Sequence, residues 1–417
     1  MNYDVVVVGA GPGGLYAANK ISEAGLRTVV VEMLHDVYAV CGELTNRHTL
    51  DLLGVSTDSE IVSNTIRRTE VVYLDENNKP KITAEIPGKV TGKAYLLNSD
   101  LMKAYLKELA ESNSVIFKFN SQVTDVIKTN GTIEGIRTSK GDEYRGQVVV
   151  AADGANSIVA AKAGMYLTKP SGSPSMKVKL RNCKIVDTDV ARFILSKKFD
   201  LGYEWDYPRS ETEANVGIGS FRPDRMPTNM GNIISEYIKS QPKFDGANVW
   251  YKKGDIVPCS GLPSKLSGDH ILFIGDSAGQ VFNLIGGGVS STLDGAHMAS
   301  NAIIEAYELQ DFSASILGKY EEKYRKSETG RKIQSTAKTL DAIIRFSESR
   351  NIHGYIEEAL QKLSPDVINE FVGSGLTLSL LPKLPKLLPA LPLVLRIVKD
   401  YSVFQLENLL ETHLKFR

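Results

Sequence analysis

DVVVVGAGPGGLYAANKISEAGLRTVVVE, residues 4–32, is the most informative segment of this sequence. It opens with a run of valines, which is typical of a buried parallel strand. Gly9, Gly11 and Gly14 follow with the spacing G-x-G-x-x-G. In such a turn the first glycine permits the tight bend, the second lets backbone approach a pyrophosphate, and the third lets a helix pack on the strand.

The rest of the segment completes a strand–helix–strand unit. An alanine-rich stretch at about 15–23 predicts a helix that Gly25 ends, and a second strand is expected at 28–31. The N-terminus of the helix presents free N–H groups and the positive end of its dipole to phosphates. Glu32 then stands where a carboxylate accepts hydrogen bonds from ribose hydroxyls. These features predict a dinucleotide-binding fold and leave NAD and FAD both open.

Two later segments favour FAD, because each is an apolar strand that leads to an acidic residue next to a glycine. They are QVVVAADGANS, 147–157, with Asp153-Gly154, and HILFIGDSAGQVFNLIGGG, 270–288, with Gly275-Asp276 and the final Gly286, Gly287 and Gly288. An acid at the carboxyl end of a strand can hydrogen-bond a polyol such as ribityl. The three glycines let backbone lie against a flat ring. Either acid alone is also consistent with a turn or a helix cap.

Length and composition bound the remaining possibilities. A chain of 417 residues exceeds one ordinary core, so two or three domains are expected. Lysine plus arginine and aspartate plus glutamate balance at 49 each, which argues against nucleic acid as a partner. Cys41, Cys183 and Cys259 are too few and too scattered for a disulfide framework or a zinc site. A reducing cytoplasm and no metal are therefore expected.

No signal peptide and no membrane-spanning segment are expected. The N-terminus has no basic region, and no apolar run reaches about 18 residues. The nearest approach is LSLLPKLPKLLPALPLVLRIVKD, 378–400, whose prolines prevent a single regular helix. Three interpretations stay open: the segment closes one end of a cavity, makes peripheral contact with a bilayer through its apolar side and its cations, or packs as a Pro-rich helical element.

GYEWDYP, residues 202–208, has the period-two alternation of a β-strand. Tyr203, Trp205 and Tyr207 form one face, acidic residues form the other, and Pro208 ends the strand because it has no N–H to donate. Two interpretations of the aromatic face stay open. It packs on a protein core, or it lines a ligand cavity.

The nucleotide motifs resemble those of the flavoprotein hydroxylase-like superfamily, which binds FAD: Gly9-Ala10-Gly11-Pro12-Gly13-Gly14, Asp153-Gly154 and Gly275-Asp276. Two further features resemble the geranylgeranyl reductase family, notably the archaeal enzymes that saturate the isoprenoid chains of membrane lipids. They are Cys41-Gly42-Glu43 and the Tyr203-x-Trp205 strand, which is similar to the family signature P-x-x-Y-x-W-x-F-P. The resemblance covers residues 1 to about 345.

A few positions depart from the pattern of that family. Asp200 and Tyr207 replace the proline and the phenylalanine of the signature, Asn98 stands where related chains usually carry arginine, and Phe282-Asn283 stands where Asn-Pro is frequent. These departures leave the expectation of a flavin unchanged and put the particular substrate in doubt.

The resemblance implies an α/β chain, α+β overall, with a Rossmann-like FAD-binding domain, an inserted antiparallel-sheet substrate domain and a C-terminal helical region. The expected boundaries are 1–60, 98–164 and 266–326 for the FAD-binding domain, 61–97 and 165–265 for the substrate domain, and 327–417 for the helical region. Within the sheets, VVYLDENNKPKITAEI, 71–86, predicts a hairpin and TNGT, 129–132, an Asn-Gly turn between strands. ANVGIGSF, 214–221, is expected to pair with the aromatic strand.

The resemblance also implies roles for individual residues. Cys41 is expected beside the flavin ring as the catalytic residue, with Glu43 and His48 as candidates for proton relay. The residues expected to bind substrate are Tyr203, Trp205 and Tyr207. Those expected to bind the cofactor are Gly9, Gly11, Gly13, Gly14, Glu32, Cys41, Gly42, Val123, Asp153, Gly275, Asp276, Gly287 and Gly288.

The resulting prediction is an FAD-dependent reductase that saturates geranylgeranyl double bonds of membrane-lipid precursors by hydride transfer from reduced flavin. Two alternatives stay open: an FAD-dependent monooxygenase of a small aromatic compound, and a lipid-binding flavoprotein without turnover. The expected partners are an isoprenoid lipid and an external electron donor. Because no second G-x-G-x-x-G unit is found, NAD(P)H bound transiently, a ferredoxin and other carriers all remain candidates for that donor.

Overall fold

The computed structural model describes residues 2–37, 43–164, 172–198, 201–225 and 229–375, together with Leu393 and Arg396. The chain forms two compact units. The first comprises Met1–Thr65, Ala94–Ser175 and Lys253–Gln334, and the second comprises Ile66–Lys93, Met176–Lys252 and Ser335–Arg417. Apart from Leu393 and Arg396, the Pro-rich segment at 378–400 lies outside the described residues. The domain boundaries given above stay a prediction.

The strands, in chain order, are β1 Asn2–Val8, β2 Thr28–Val31, β3 Leu44–Asn46, β4 Val62–Ile66, β5 Arg68–Leu74, β6 Pro80–Pro87, β7 Ala94–Leu97, β8 Ile116–Lys118, β9 Val123–Thr129, β10 Thr132–Thr138, β11 Glu143–Ala151, β12 Ser173–Arg181, β13 Val190–Ser196, β14 Gly202–Pro208, β15 Glu213–Ser220, β16 Asn248–Val257, β17 Ser267–Gly268 and β18 Ile271–Phe273. The α-helices are α1 Pro12–Glu23, α2 Arg47–Leu53, α3 Gly88–Thr91, α4 Ser99–Ser112, α5 Ile158–Ala163, α6 Met230–Ser240, α7 Val289–Leu309, α8 Ala314–Lys326, α9 Glu328–Ser349, α10 Ile352–Lys362 and α11 Pro365–Ser374. Short 3-10 helices occupy Pro223–Arg225, Pro242–Phe244 and Gly275–Ala278.

The first unit is built on a sheet whose strand order is β17-β18-β11-β1-β2-β8, extended by the β9–β10 hairpin. β1 lies at the centre and pairs in parallel with both β2 and β11. Val7 aligns with Val30 on one side and with Val150 on the other, and all three are fully buried. A strand covered on both faces requires such a continuous apolar run. The Rossmann-like part of the predicted fold is confirmed.

The first helix begins earlier than the sequence indicated. α1 starts at Pro12 with Gly11 as its N-cap, whereas the alanine-rich pattern placed the start near residue 15. Proline is well accommodated there, because the N–H it lacks has no partner in the first turn of a helix. β2 spans the predicted residues 28–31, and α1 packs against α4 and α7. A small sheet of order β3-β7-β4 completes this unit.

The second unit is built on a sheet of order β16-β12-β15-β14-β13-β5-β6. The hairpin predicted at 71–86 is confirmed as the antiparallel pair β5–β6, and the pairing predicted for 214–221 is confirmed as β14–β15. β13 and β5 pair in parallel, so the sheet is mixed rather than wholly antiparallel. This parallel pair joins segments that are remote in sequence, as parallel pairing requires a crossover connection.

The core of the second unit lies between this sheet and α6. Val178, Val216 and Ile218 on the strands pack in one cluster with Ile234 and Tyr237 of α6. The C-terminal helices are present as predicted, and α10 and α11 pack against β6. None of the described helices is both long enough and apolar enough to span a bilayer.

Candidate functional site

The turn between β1 and α1 admits only glycine at two positions. Gly9 has φ +99°, and a Cβ there would lie 2.4 Å from the Ala152 carbonyl oxygen. A Cβ at Gly14 would lie 2.1 Å from the carbonyl oxygen of Gly9, so the helix approaches the strand more closely than any side chain allows. A Cβ at Gly11, by contrast, would meet no atom within 4 Å. The turn therefore leaves open space beside the N-terminus of α1, where a pyrophosphate fits.

Gly13 brings the turn against the first part of α7. A Cβ at Gly13 would lie 2.6 Å from the Thr292 Cγ2 methyl group, and a Cβ at Gly275 would lie 3.4 Å from the same methyl. Thr292 therefore packs between the two predicted cofactor turns. Residues 9–14, Glu32, the helix Gly275–Ala278 and residues 286–288 are called the cofactor cradle below.

Glu32 is fixed at the end of β2 by backbone donors. Its Oε2 accepts a hydrogen bond from the Ala10 amide at 2.7 Å, and its Oε1 accepts one from the Leu34 amide at 2.9 Å. Each carboxylate oxygen has a further lone pair, which remains able to accept from a ribose hydroxyl. The acid is thus tied to the glycine turn itself.

Asp153 acts as a helix cap in this structure. Its Oδ1 accepts from the Ser157 hydroxyl at 2.6 Å, and its Oδ2 accepts from the Val159 amide at 3.1 Å. Burial raises the pKa of the Asp153 carboxyl, and these two hydrogen bonds oppose that rise. The capping alternative that the sequence left open is therefore realised, and a contact of Asp153 with the cofactor stays a prediction. Val123, at the start of β9, lies in the core of the first unit, and its cofactor contact also stays a prediction.

Asp276 has a different environment. No described residue hydrogen-bonds its carboxyl group, and burial, with a smaller contribution from the Asp255 carboxylate, raises its pKa to about 7. A Cβ at Gly288 would lie 3.5 Å from its Oδ1, so the carboxyl group faces the predicted ring-contact glycines. The residue is half-buried, and a carboxyl group that no described residue hydrogen-bonds is able to accept hydrogen bonds from ligand donors. Ribityl hydroxyls are such donors, and the cradle therefore fits FAD.

The glycine loop that follows is held by its own backbone and by Asn283. The Phe282 amide donates to the Gly287 carbonyl oxygen at 2.9 Å. Asn283 is fully buried, accepts from the Gly261 amide at 3.0 Å and donates to the Ile333 carbonyl oxygen at 2.9 Å. The Phe282-Asn283 pair, which departs from the family pattern, is thus a structural support of the loop.

Cys41 and Gly42 lie outside the described residues, so their predicted roles stay predictions. Glu43 is buried with φ +74°, and its Oε1 accepts from the Ser99 hydroxyl at 2.6 Å. Asn98, which replaces the usual arginine, caps α4 by accepting from the Leu101 amide.

His48 has partners that the sequence did not reveal. Its Nε2 lies 2.6 Å from Oδ1 of Asp294 on α7, and Oδ2 of Asp294 accepts from the Thr329 hydroxyl at 2.6 Å. The His48 ring is half-exposed whereas the Asp294 carboxyl is buried. Because 246 residues separate His48 from Asp294, only the fold could bring them together.

The aromatic strand β14 belongs to the second unit. Trp205 and Tyr207 are 7% and 4% exposed, and Tyr203 is half-buried. The Trp205 indole N–H donates to the Asn215 Oδ1 at 2.9 Å, and its ring covers Gly217 on β15, where a Cβ would lie 2.1 Å from the Cζ2 atom. The rings form a continuous layer with spacings of 6.1 Å between Tyr203 and Trp205 and 6.4 Å between Trp205 and Tyr207.

The acidic face of β14 meets the core cluster that includes α6, although Trp205 and Tyr207 on the other face are buried as well. Glu204 stands between Ile194 and Ile218 on the neighbouring strands, and both isoleucines are in the core cluster. Its Oε1 has no hydrogen-bond partner, and burial raises its pKa to about 8. Asp206, two residues on, accepts from the Tyr237 hydroxyl at 2.8 Å and contacts the Lys243 ammonium. One acid is thus held neutral and the other is ion-paired.

Comparison with known proteins assigns the chain to a class. The family model described as FAD binding domain matches residues 2–227, and the chain belongs to this family. Its cofactor is FAD, as the cradle geometry indicates.

The particular relatives agree with the motifs. The chain is 28% identical over 331 residues to a digeranylgeranylglycerophospholipid reductase of Thermoplasma volcanium, covering 76% of this chain and 82% of the relative. It is 28% identical to digeranylgeranylglycerophospholipid reductase 2 of Methanopyrus kandleri, covering 78% and 82%. A geranylgeranyl bacteriochlorophyll reductase-like protein of Thermoplasma acidophilum has the same fold, with a TM-score of 0.75 at 23% identity over 96% of this chain and 99% of that one. The resemblance to the geranylgeranyl reductase family is confirmed.

Proposed function

We propose that this protein is an FAD-dependent oxidoreductase that saturates isoprenoid double bonds of membrane-lipid precursors. The observation that carries the proposal is the similarity to digeranylgeranylglycerophospholipid reductases over more than three quarters of the chain. The alignment with these reductases extends well beyond the segments that contain the nucleotide-binding motifs. The cradle supports the same conclusion, because each of its features suits a flavin dinucleotide.

The chain's own residues bind and orient the cofactor. The N–H groups at the start of α1 hold the pyrophosphate, Glu32 holds the ribose through its two fixed oxygens, and Asp276 accepts from the ribityl hydroxyls. When bound and reduced, FAD supplies hydride. The protein must therefore provide the second hydrogen of each saturation as a proton, and must exclude oxygen and water from the ring.

Delivery of the proton is the step of the reaction that the protein's own residues control most directly. Saturation of one C=C bond adds hydride to one carbon and a proton to the other, and leaves the flavin oxidised. An isolated alkene accepts hydride poorly, so the proton must arrive first or together with it. Cys41 is the proposed donor, with Glu43 and His48 as relay candidates. The Asp294 carboxylate, held by Thr329, orients the His48 ring as a carboxylate orients the histidine of other proton-transfer sites.

The substrate has no hydrogen-bonding group along its isoprenoid chain, so apolar area must bind it, at about 25 cal/mol per Å². Tyr203, Trp205 and Tyr207 are the proposed contacts. Their continuous ring layer, with the indole N–H already satisfied by Asn215, supports this assignment. A redox partner is also required. NAD(P)H and a ferredoxin are the proposed classes of donor, and the Pro-rich segment at 378–400 is proposed to contact the membrane peripherally.

Anaerobic reoxidation of the reduced enzyme tests the proposal. The protein is bleached with dithionite, excess reductant is removed, and a geranylgeranyl lipid is added without oxygen. Return of the yellow colour supports the reductase. Because oxygen reoxidises reduced flavin with or without lipid, the lipid product separates the alternatives: an oxygen atom gained when air is admitted would indicate a monooxygenase, and an unchanged lipid under both conditions would indicate a lipid carrier.

A Cys41→Ser variant adds information about the proton. Slower reoxidation by lipid with unchanged bleaching by dithionite is expected. An unaltered reoxidation rate removes Cys41 from the mechanism. Cys183→Ser is the matched control, because Cys183 lies in the core of the second unit.

A further inference from the structure

The second cofactor turn has a conformation that needs external support. Gly275 follows β18 with φ +69°, and the helix Gly275–Ala278 that it begins is a single 3-10 turn. Such turns have poor internal hydrogen-bond geometry and depend on their surroundings. The position of the Asp276 carboxyl depends directly on this turn.

Gln280 supplies that support from both its backbone and its side chain. Its Oε1 accepts from the Gly275 amide at 2.6 Å, while its own amide donates to the Gly275 carbonyl oxygen at 3.1 Å. Its Nε2 donates to the Tyr320 hydroxyl at 2.8 Å, and that hydroxyl donates to the Phe273 carbonyl oxygen at 2.7 Å. Gln280 and Tyr320 are both fully buried. The chain of bonds thus begins and ends on the backbone that enters the turn.

Gly295 makes room for the Gln280 amide. It lies inside α7, where glycine is less favourable than alanine. A Cβ at this position would lie 2.2 Å from Nε2 and 2.3 Å from Oε1 of Gln280. Gly295 therefore lowers the stability of α7, and the Gln280 side-chain amide that bonds Gly275 fills the space that a larger residue would occupy.

We propose that Gln280, Tyr320 and Gly295 are positioning residues that preset the Gly275–Asp276 turn for FAD; they are called the turn clasp here. None of them needs to touch the cofactor. The clasp keeps the Gly275 N–H hydrogen-bonded and the Asp276 carboxyl in place before FAD binds. The turn therefore loses less conformational entropy when FAD binds. Loss of the clasp leaves a buried donor without a partner, and the turn relaxes away from the cofactor.

Tyr320→Phe, with Tyr307→Phe as matched control, tests the clasp. Both changes remove one phenol hydroxyl that donates to a backbone carbonyl within the first unit, since the Tyr307 hydroxyl donates to the Asp4 carbonyl oxygen at 2.6 Å. The measurement is the rate of FAD release from the holoenzyme, followed by the rise in flavin fluorescence after dilution, together with the urea midpoint of each variant. We expect Tyr320→Phe to release FAD about fivefold to tenfold faster, which corresponds to about the net contribution of one of the two neutral hydrogen bonds that its hydroxyl makes. Tyr307→Phe should change release by less than about twofold.

The comparison of the two tyrosine variants makes the outcome decisive. Release from Tyr320→Phe within about twofold of the unmodified protein, or equal acceleration in both variants, would overturn the proposal, since a purely structural loss would affect both alike. Gly295→Ala, whose methyl group must displace the Gln280 amide, should accelerate release at least as much as Tyr320→Phe. If Gly295→Ala does not fold, the tyrosine pair still decides. Lipid turnover does not enter this measurement, so failure here is distinct from failure of the proposed function.

Discussion

Glu204→Gln should remove a specific pH dependence from the stability of the second unit. The carboxyl group lies 2% exposed on the core face of β14, between two buried isoleucines, and one of its oxygens has no partner. The charged groups that face it from the surrounding elements are Lys198, Asp206 and Glu236. Only the first of these favours ionisation, so the acid stays protonated in the folded protein at neutral pH.

The magnitude follows from the displacement of the pKa from 4.5 to about 8. Between these values the unfolded chain has released the proton and the folded chain keeps it, so the free energy of unfolding falls as pH rises. The slope is about 1.4 kcal/mol per pH unit, and the whole loss is about 4–5 kcal/mol. Below about 4.5 both states hold the proton, and above about 8 neither does, so the slope vanishes outside this window. Glutamine cannot ionise and does not show the loss.

Intrinsic fluorescence offers a direct assay. The chain has two tryptophans, Trp205 and Trp250, and both lie in the second unit, so their emission reports its unfolding in urea. From about pH 5 to about pH 7 the stability of Glu204→Gln relative to the unmodified protein should rise by about 2–3 kcal/mol. Glu211→Gln, an exposed position in the following turn, is the control and should show no such rise. A pH-independent difference for Glu204→Gln would refute the neutral buried acid.

Other substitutions separate the roles of individual residues. Trp205→Ala should slow lipid turnover while the absorbance of bound FAD stays unchanged, at a cost of about 3–5 kcal/mol to the second unit by urea unfolding; equal loss of flavin and turnover would instead indicate packing alone. Gly11→Ala should fold normally and bind FAD more weakly in a fluorescence titration, because its methyl group takes the open space of the turn. Gly14→Ala should fail to fold or to hold FAD at all, because its methyl group meets backbone at 2.1 Å; a normally folded, fully flavinated variant would contradict the reported geometry. Glu32→Gln should weaken FAD binding while leaving the urea midpoint of the second unit unchanged, and unchanged binding would remove the ribose contact.

The fold of the first unit was largely predictable because its glycine motif specifies the backbone conformation of the turn between β1 and α1. Each part of the motif depends on local structure: the glycine spacing, the valine run and the acid after β2. The structure shows the reason for the glycines as close backbone contacts at Gly9 and Gly14. Asp153 shows the limit of this reasoning. An acid at a strand end serves a cofactor or a helix equally well by sequence, and the Ser157 and Val159 contacts of Asp153 are visible only in the fold.

The aromatic strand shows a second limit. Period-two alternation predicted the strand and its two faces, and both were found. It did not predict that the acidic face would be buried as well as the aromatic face, since that depends on what packs against the sheet. Tyr237 of α6 and Lys243 of the short helix Pro242–Phe244 supply partners for Asp206, which allows this acid to lie in the core. The His48–Asp294 pair was missed for the same reason.

This protein is proposed to saturate an isoprenoid alkene with hydride that bound, reduced FAD would supply. Mass spectrometry of a geranylgeranyl lipid after anaerobic incubation with the dithionite-reduced holoenzyme measures this directly. A mass gain of one H₂ for each bond saturated, absent when FAD is omitted, is the predicted result. An unchanged lipid mass, or the gain of an oxygen atom when air is admitted, would contradict it.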